Sequence, residues 1–142
     1  MVYTYNYPRP MVTVDAVVFR KIHDCIEVLL IRRKNYPFEG MWALPGGFID
    51  MEETAEEAIV RELEEETHLR VNDLQQLHTF STLGRDPRGR TISVTFFGVV
   101  DADQSKVSGG DDAVEARWFP LDKLPVLAFD HAEVVEMALE RI

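Results

Sequence analysis

After an arm, MVYTYNYPRP, in which Tyr3, Tyr5 and Tyr7 alternate up to Pro8 and Pro10, the stretch MVTVDAVVF (residues 11–19) carries the alternating pattern of a strand. CIEVLLIRR (25–33) predicts a second strand, with His23 and Asp24 in the turn before it. Residues 34–47, KNYPFEGMWALPGG, hold two prolines and three glycines and predict a loop with one short extended piece. A helix is predicted over about 53–67. QLHTFST (76–82) and TISVTFFGVV (91–100) predict strands joined by the polar loop LGRDPRGR. SGGDDA predicts a turn, VEARWFP (114–120) a short strand and LDKLP a connecting turn.

The last helix shows helical spacing at Ala128, His131, Ala132, Val135, Ala138, Leu139 and Ile142, so it should pack on a sheet. Asp130 with Glu133 reads as a capping box, and Phe129 with Val134 as a hydrophobic staple. His131 faces the packed side and reads as a structural histidine, while Trp118 and Phe119 read as core. No repeat or linker interrupts the pattern. A chain of 142 residues is long enough for one core and too short for two, so one domain is expected over 1–142.

The acidic helix needs a finer reading, because RELEEETHL (61–69) puts four glutamates within five positions. Charge runs on helices are usually solvated faces. With Glu62 at 0° and about 100° per residue, Glu66 falls near 40° and Glu65 near 300°. Ala55, Ala58, Ile59 and Leu63 fall near 20°, 320°, 60° and 100° on the same wheel of about 100° per step. These three carboxylates therefore continue the buried stripe, whereas Glu57 and Glu64 lie opposite it. Inward carboxylates within about one turn of each other repel unless protonated or neutralised by a cation. All-oxygen ligation favours a hard divalent ion, Mg²⁺, Mn²⁺ or Ca²⁺, over zinc. Arg61, one turn from Glu57 and Glu65, reads as a brace holding Glu65 or Glu53, with direct substrate contact as the competing reading.

Composition narrows the partners. Hydrophobic residues at 46% and charged residues at 28% argue against disorder. No apolar run approaches the roughly 18 residues of a membrane helix, and the start lacks a signal-peptide pattern, so a cytoplasmic protein with no membrane partner is expected. The single cysteine, Cys25, excludes an internal disulfide and a cysteine-rich zinc site. A net charge of −10 repels nucleic acid backbones. A phosphate-bearing ligand would need a metal or a local basic patch. RDPRGR is such a patch, bringing Arg85, Arg88 and Arg90 within reach of a phosphate or ribose, and Arg33 is a second phosphate candidate. A charged, solvated hairpin loop is the competing reading of RDPRGR.

Before the helix, LPGG offers Gly46 and Gly47, where the backbone can approach a ligand closely and a carbonyl can serve as a metal ligand. From Gly47 the sequence runs through five residues to Glu53, then seven more to Arg61-Glu62-Leu63-x-Glu65-Glu66-x-His68-Leu69. This resembles the Nudix box, G-x5-E-x7-R-E-U-x-E-E-x-G-U with U aliphatic, at every fixed position except His68, which replaces a glycine. A side chain in the left-handed conformation such a glycine supplies costs up to roughly 1–2 kcal/mol, and histidine tolerates that region better than most residues.

The resemblance implies an α/β/α sandwich with a mixed β-sheet between helices, and a Nudix hydrolase acting on a nucleoside diphosphate linked to another group. It implies Mg²⁺, with Mn²⁺ as the alternative, bound by Glu62, Glu65, Glu66 and the Gly46 carbonyl, with Gly47, Glu53 and Arg61 as structural parts of the motif. PRPMVTVDAVVF, LLIRRKNYPFEGMWALPGGFID, RDPRGRTISVTFFG and LAFDHAEVVEMALERI extend the resemblance to the ADP-ribose pyrophosphatase branch. They are also similar to the Nudix domains of nicotinamide mononucleotide adenylyltransferase fusions and of Nudix-related transcriptional regulators. ADP-ribose cleaved to AMP and ribose 5-phosphate is thus the expected reaction. The alternatives are another dinucleotide, an oxidised nucleotide, or a regulator that senses ADP-ribose without cutting it.

In related hydrolases the general base comes from a box glutamate, here Glu65 or Glu66, or from a later acidic loop. Asp111, Asp112 and Glu115 are candidates there, with Glu115 preferred; its pairing with Arg117 is the competing reading. Tyr3, Tyr5, Tyr7, Phe19 and Trp42 are candidates to stack on adenine. By the same resemblance the chain could form a homodimer, the tyrosine arm reaching the second copy.

Overall fold

The computed structural model describes residues 2–110 and 112–142, so the candidate base Asp111 lies outside the described residues. The elements are β1 (Met11–Ile22), β2 (Cys25–Arg33), β3 (Trp42–Ala43), β4 (Gly46–Phe48), α1 (Ala55–Thr67), β5 (Gln75–Phe80), β6 (Thr91–Val100), β7 (Ala113–Pro120) and α2 (His131–Leu139). Single 3₁₀ turns cover Ala102–Gln104 and Leu121–Lys123.

Strand β1 is central. It pairs in parallel with β6 from Met11 to Arg20 and antiparallel with β2 through Phe19–Ile22. Its residues 13–19 are all buried, because both faces of the sheet are covered. Val14, Ala16 and Val18 pack with Ala58, Ile59 and Leu63 of α1, while Val17 and Phe19 pack with Val134, Val135 and Ala138 of α2. Alternate side chains of one strand thus build the two cores of an α/β/α sandwich. Among the described residues, no helix is long and apolar enough to cross a membrane.

The sheet opens where β1 and β2 part. Beyond their shared hairpin, β1 takes β4 at Thr13–Asp15, and β2 takes β3 at Ile31–Arg32. Residues 34–47 therefore hold two short strands, and not a single extended piece. The glycine loop is clamped between the diverging strands, facing α1.

Both helix ends have local causes. Thr54 caps α1 through a capping box, its Oγ1 accepting the Glu57 N–H while Glu57 accepts the Thr54 N–H. The helix starts there and not at Glu53, which is committed elsewhere. At the other end His68 adopts the left-handed conformation, φ 64°, and its N–H donates to the Glu64 carbonyl. For α2 the expected capping box does not form. Asp130 is the cap residue, but Arg85 takes its carboxylate through two hydrogen bonds of 2.9 and 2.7 Å. Phe129 leaves the staple role: with φ 54° it turns its ring onto Phe38, 4.8 Å between centroids.

Candidate active site

The parted strands, the glycine loop and α1 enclose a cavity of about 380 Å³. Glu66 is its deepest carboxylate from α1, 5% exposed, and its Oε1 accepts the Gly46 N–H at 2.7 Å. Burial, the main cause, together with the charges of Glu62, Asp15 and Asp112, holds its pKa well above the usual carboxylate range. Glu62 also lines the cavity, and burial raises its pKa too, against the opposing pull of Arg61.

Both loop glycines approach their neighbours closely. A Cβ on Gly46 would run into the Val14 carbonyl and the Asp15 carboxylate, and one on Gly47 would sit 2.6 Å from the Glu62 carboxylate.

Arg61 braces the group more widely than its helical position suggested. It binds Glu53 through Nε at 3.0 Å and Nη2 at 2.6 Å, and Nη2 also donates to the Phe48 carbonyl at 3.2 Å. Its Nη1 bridges Glu62 at 2.8 Å and Glu65 at 3.1 Å. Glu65 lies at the rim, its side chain 40% exposed, and does not line the cavity. Glu64 faces solvent and pairs with Arg70, as its angle required. Among the described residues, no three acidic, histidine or cysteine side chains form an ion-binding cluster, and Arg61 bridges Glu62 and Glu65. The donor set itself suits a hard cation: oxygen ligands only, with burial disfavouring the charge of Glu62 and Glu66 and the Glu62 charge adding to the effect on Glu66.

The NUDIX domain family model matches residues 9–138. The chain belongs to the Nudix family. It is 45% identical, over 92% of its length and 73% of the relative's, to an ADP-ribose pyrophosphatase of Methanocaldococcus jannaschii. It is 33% identical to the ADPR responsive transcriptional repressor NtrR of Acinetobacter baylyi, matching 96% of this chain but spanning only 56% of the repressor. Among solved structures, the NUDIX domain of Shewanella oneidensis NrtR complexed with ADP ribose superposes with a TM-score of 0.88. That match is 35% identical and covers 95% of this chain and 90% of that one.

The cavity lining also carries arginines, Arg33, Arg85 and Arg88. Arg85 is held by Asp130, and Arg88 by Asp86 through bonds of 3.1 and 2.7 Å. The Arg88 guanidinium lies between the rings of Phe48 and Phe129, 4.8 and 5.5 Å from their centroids. Arg33 donates Nε–H to the Pro37 carbonyl, and burial followed by the charge of Arg88 lowers its pKa. Arg90 lies outside the cavity and donates to the Ser81 carbonyl, because its strand-entry position points it along the loop.

Glu115 does not line the cavity either. It stands opposite Arg32 in the β2–β7 ladder and pairs with Arg117 at 3.2 Å. Asp112, one step before β7, is a lining residue, with its carbonyl accepting from the Lys34 N–H. Among the adenine candidates, Phe19 is fully buried in the core, and Trp42 stacks edge-on against Phe119 outside the cavity. Tyr3, Tyr5 and Tyr7 are exposed, and Tyr5 and Tyr7 line a separate groove with Phe48 and Met51.

Sequence reasoning missed Asp15, whose signal was a carboxylate inside the apolar run VTVDAVVF. It is buried, accepts the Ser93 hydroxyl and lies 3.7 Å from His131 Nε2. His131 in turn accepts the Leu44 N–H on Nδ1 at 2.9 Å, so the first residue of α2 steadies the loop that carries Gly46. Burial lowers the His131 pKa and keeps the ring neutral, which leaves its proton on Nε2 facing Asp15.

Proposed function

We propose that this Nudix protein is a divalent-metal-dependent hydrolase of ADP-ribose, releasing AMP and ribose 5-phosphate. One observation carries the reading: a single cavity gathers the carboxylates of Glu62, Glu66, Asp15 and Asp112 with the guanidinium groups of Arg33, Arg85 and Arg88. Burial disfavours the charge on Glu66 and on Arg33, raising the pKa of the first and lowering that of the second. A cation with a diphosphate relieves both.

Glu62 and Glu66, with Glu65 swinging from Arg61 and the Gly46 carbonyl, would hold Mg²⁺ or Mn²⁺. Such an ion neutralises charge developing on the diphosphate and makes water a better nucleophile. Arg33 and Arg88, in the same cavity lining, orient the diphosphate, since guanidinium groups suit phosphate oxygens. Asp112 is better situated than Glu115 to accept the proton of the attacking water, since it faces the cavity and Glu115 does not. The Gly46 N–H fixes Glu66, and His131 fixes the loop bearing that glycine.

The relative named as an ADP-ribose pyrophosphatase supports the substrate. The repressor relative supports the other reading, ADP-ribose bound and not cut. Turnover rates on a panel of nucleoside diphosphate derivatives with Mg²⁺ decide between them: ADP-ribose should give the highest kcat/KM. A different preferred substrate would overturn the assignment, and no turnover of any would overturn the enzyme. The exposed tyrosine arm supports a homodimer, which sedimentation equilibrium tests by finding twice the monomer mass or the monomer alone.

A further inference from the structure

His68 is the one fixed position at which the chain leaves the Nudix box. It ends α1, and its side chain also makes a long-range contact. Nδ1 lies 2.9 Å from both the carbonyl and the hydroxyl oxygen of Ser108, 40 residues away. The carbonyl accepts when Nδ1 carries the proton, and the hydroxyl donates when it does not. Either neutral tautomer is therefore satisfied.

Around that contact, residues 105–110 lie directly on the end of α1. The Ser108 N–H donates to the Thr67 carbonyl at 3.1 Å. Gly110 packs so closely that a Cβ there would sit 2.5 Å from the Glu65 carbonyl and 3.0 Å from His68 Cε1. Beyond Gly110 the chain reaches Asp112, which lines the cavity and whose charge acts on both Glu62 and Glu66. At its far side Asp112 is tied to the β2 end by the Lys34 N–H at 3.1 Å and the Asn35 amide at 3.4 Å.

We propose that His68 is a positioning residue: it latches residues 105–110 onto the C-terminal turn of α1 and thereby keeps Asp112 facing Glu62 and Glu66. Glycine would satisfy the left-handed backbone at this position but could not make the latch. The inference rests on the hydrolase reading only for its kinetic consequence; the latch itself is a contact within the fold.

The test compares His68→Gly with His68→Asn. Asparagine tolerates the left-handed region and carries an amide where Nδ1 stands. In His68→Gly, amide hydrogen exchange within residues 105–110 should quicken by about threefold to tenfold, the change expected for losing one modest hydrogen bond. The thermal midpoint should stay level or rise, because glycine relieves strain, while kcat for ADP-ribose falls by a similar factor and KM holds within about twofold. His68→Asn should restore slow exchange and kcat. Unchanged exchange in His68→Gly overturns the latch, and faster exchange with unchanged kcat overturns its positioning role. If the wild type turns over no substrate the hydrolase reading fails, and the exchange comparison still decides the latch.

Discussion

The N–H of Gly46 donates to Oε1 of Glu66 at 2.7 Å, so the glycine loop and α1 are joined at the deepest point of the cavity. This bond keeps a buried carboxylate on the cavity lining although burial and three neighbouring acids oppose its charge. Glu66→Gln retains an oxygen for the Gly46 N–H and removes the charge. Between about 4.5 and its raised native pKa, native Glu66 holds a proton that the unfolded chain has released, so the metal-free protein loses stability as pH rises through that window. Mg²⁺ should therefore raise the melting temperature more at neutral than at acidic pH. Glu66→Gln should flatten the pH dependence and lose most of the Mg²⁺ gain, as differential scanning calorimetry can show.

Gly46 and Gly47 should respond differently to one methyl group. At Gly46 the obstacle includes the Val14 backbone, so Gly46→Ala should unfold at lower denaturant, by roughly 1–3 kcal/mol as for other overpacked sites. At Gly47 the obstacle is the Glu62 carboxylate, the mobile end of a side chain. Gly47→Ala should melt near the wild type and lose at least about tenfold in kcat/KM, equivalent to some 1.4 kcal/mol of transition-state stabilisation. Urea titrations beside steady-state kinetics separate the two.

His131 gives the opposite pH sign from Glu66. Its native pKa lies below the ordinary 6.5, so its contribution to stability is complete above 6.5 and is lost as pH falls toward the native value. His131→Asn keeps an acceptor for the Leu44 N–H and should reduce that acid sensitivity. His131→Leu leaves the amide unpaired, and urea unfolding at neutral pH should show a loss of about 1–3 kcal/mol.

The two ends of RDPRGR should separate as well. Arg85→Ala strands the Asp130 carboxylate at the start of α2 and should cost about 3–5 kcal/mol, the usual loss when one partner of a buried ion pair is removed. Arg90→Ala should leave both stability and kcat/KM near the wild type, since the Arg90 side chain is exposed, lies outside the cavity lining and donates to the Ser81 carbonyl of its own loop. Thermal melts and turnover of the two variants check the contrast.

What could be read from the sequence followed from periodicity. The strands β2 and β6 were readable to the residue because each is bounded by turn residues, and the helical wheel correctly set Glu64 apart from Glu62 and Glu66. His68 was recognisable as a left-handed helix end because a motif glycine marks that geometry. Long-range partners were out of reach. The rule that made Asp130 a helix cap cannot see Arg85, 45 residues upstream, which claims the same carboxylate. Glu115 and Asp112 are three positions apart; the β2–β7 ladder sets Glu115 opposite Arg32, while Asp112 precedes the ladder and is held by the Lys34 N–H. Glu65 was drawn inward by its angle, but the wheel takes no account of a long side chain reaching sideways to Arg61.

Under the proposed function, the Glu62–Glu66 face makes this Nudix fold a catalyst and not only a receptor for ADP-ribose. Mass spectrometry of products after incubation with ADP-ribose and Mg²⁺, for the wild type and for folded Glu66→Gln, tests it most directly. The wild type should yield AMP and ribose 5-phosphate in equal amounts, and the variant should be slower by orders of magnitude. Equal rates in the two proteins, or ADP-ribose bound by the wild type and recovered intact, would contradict it.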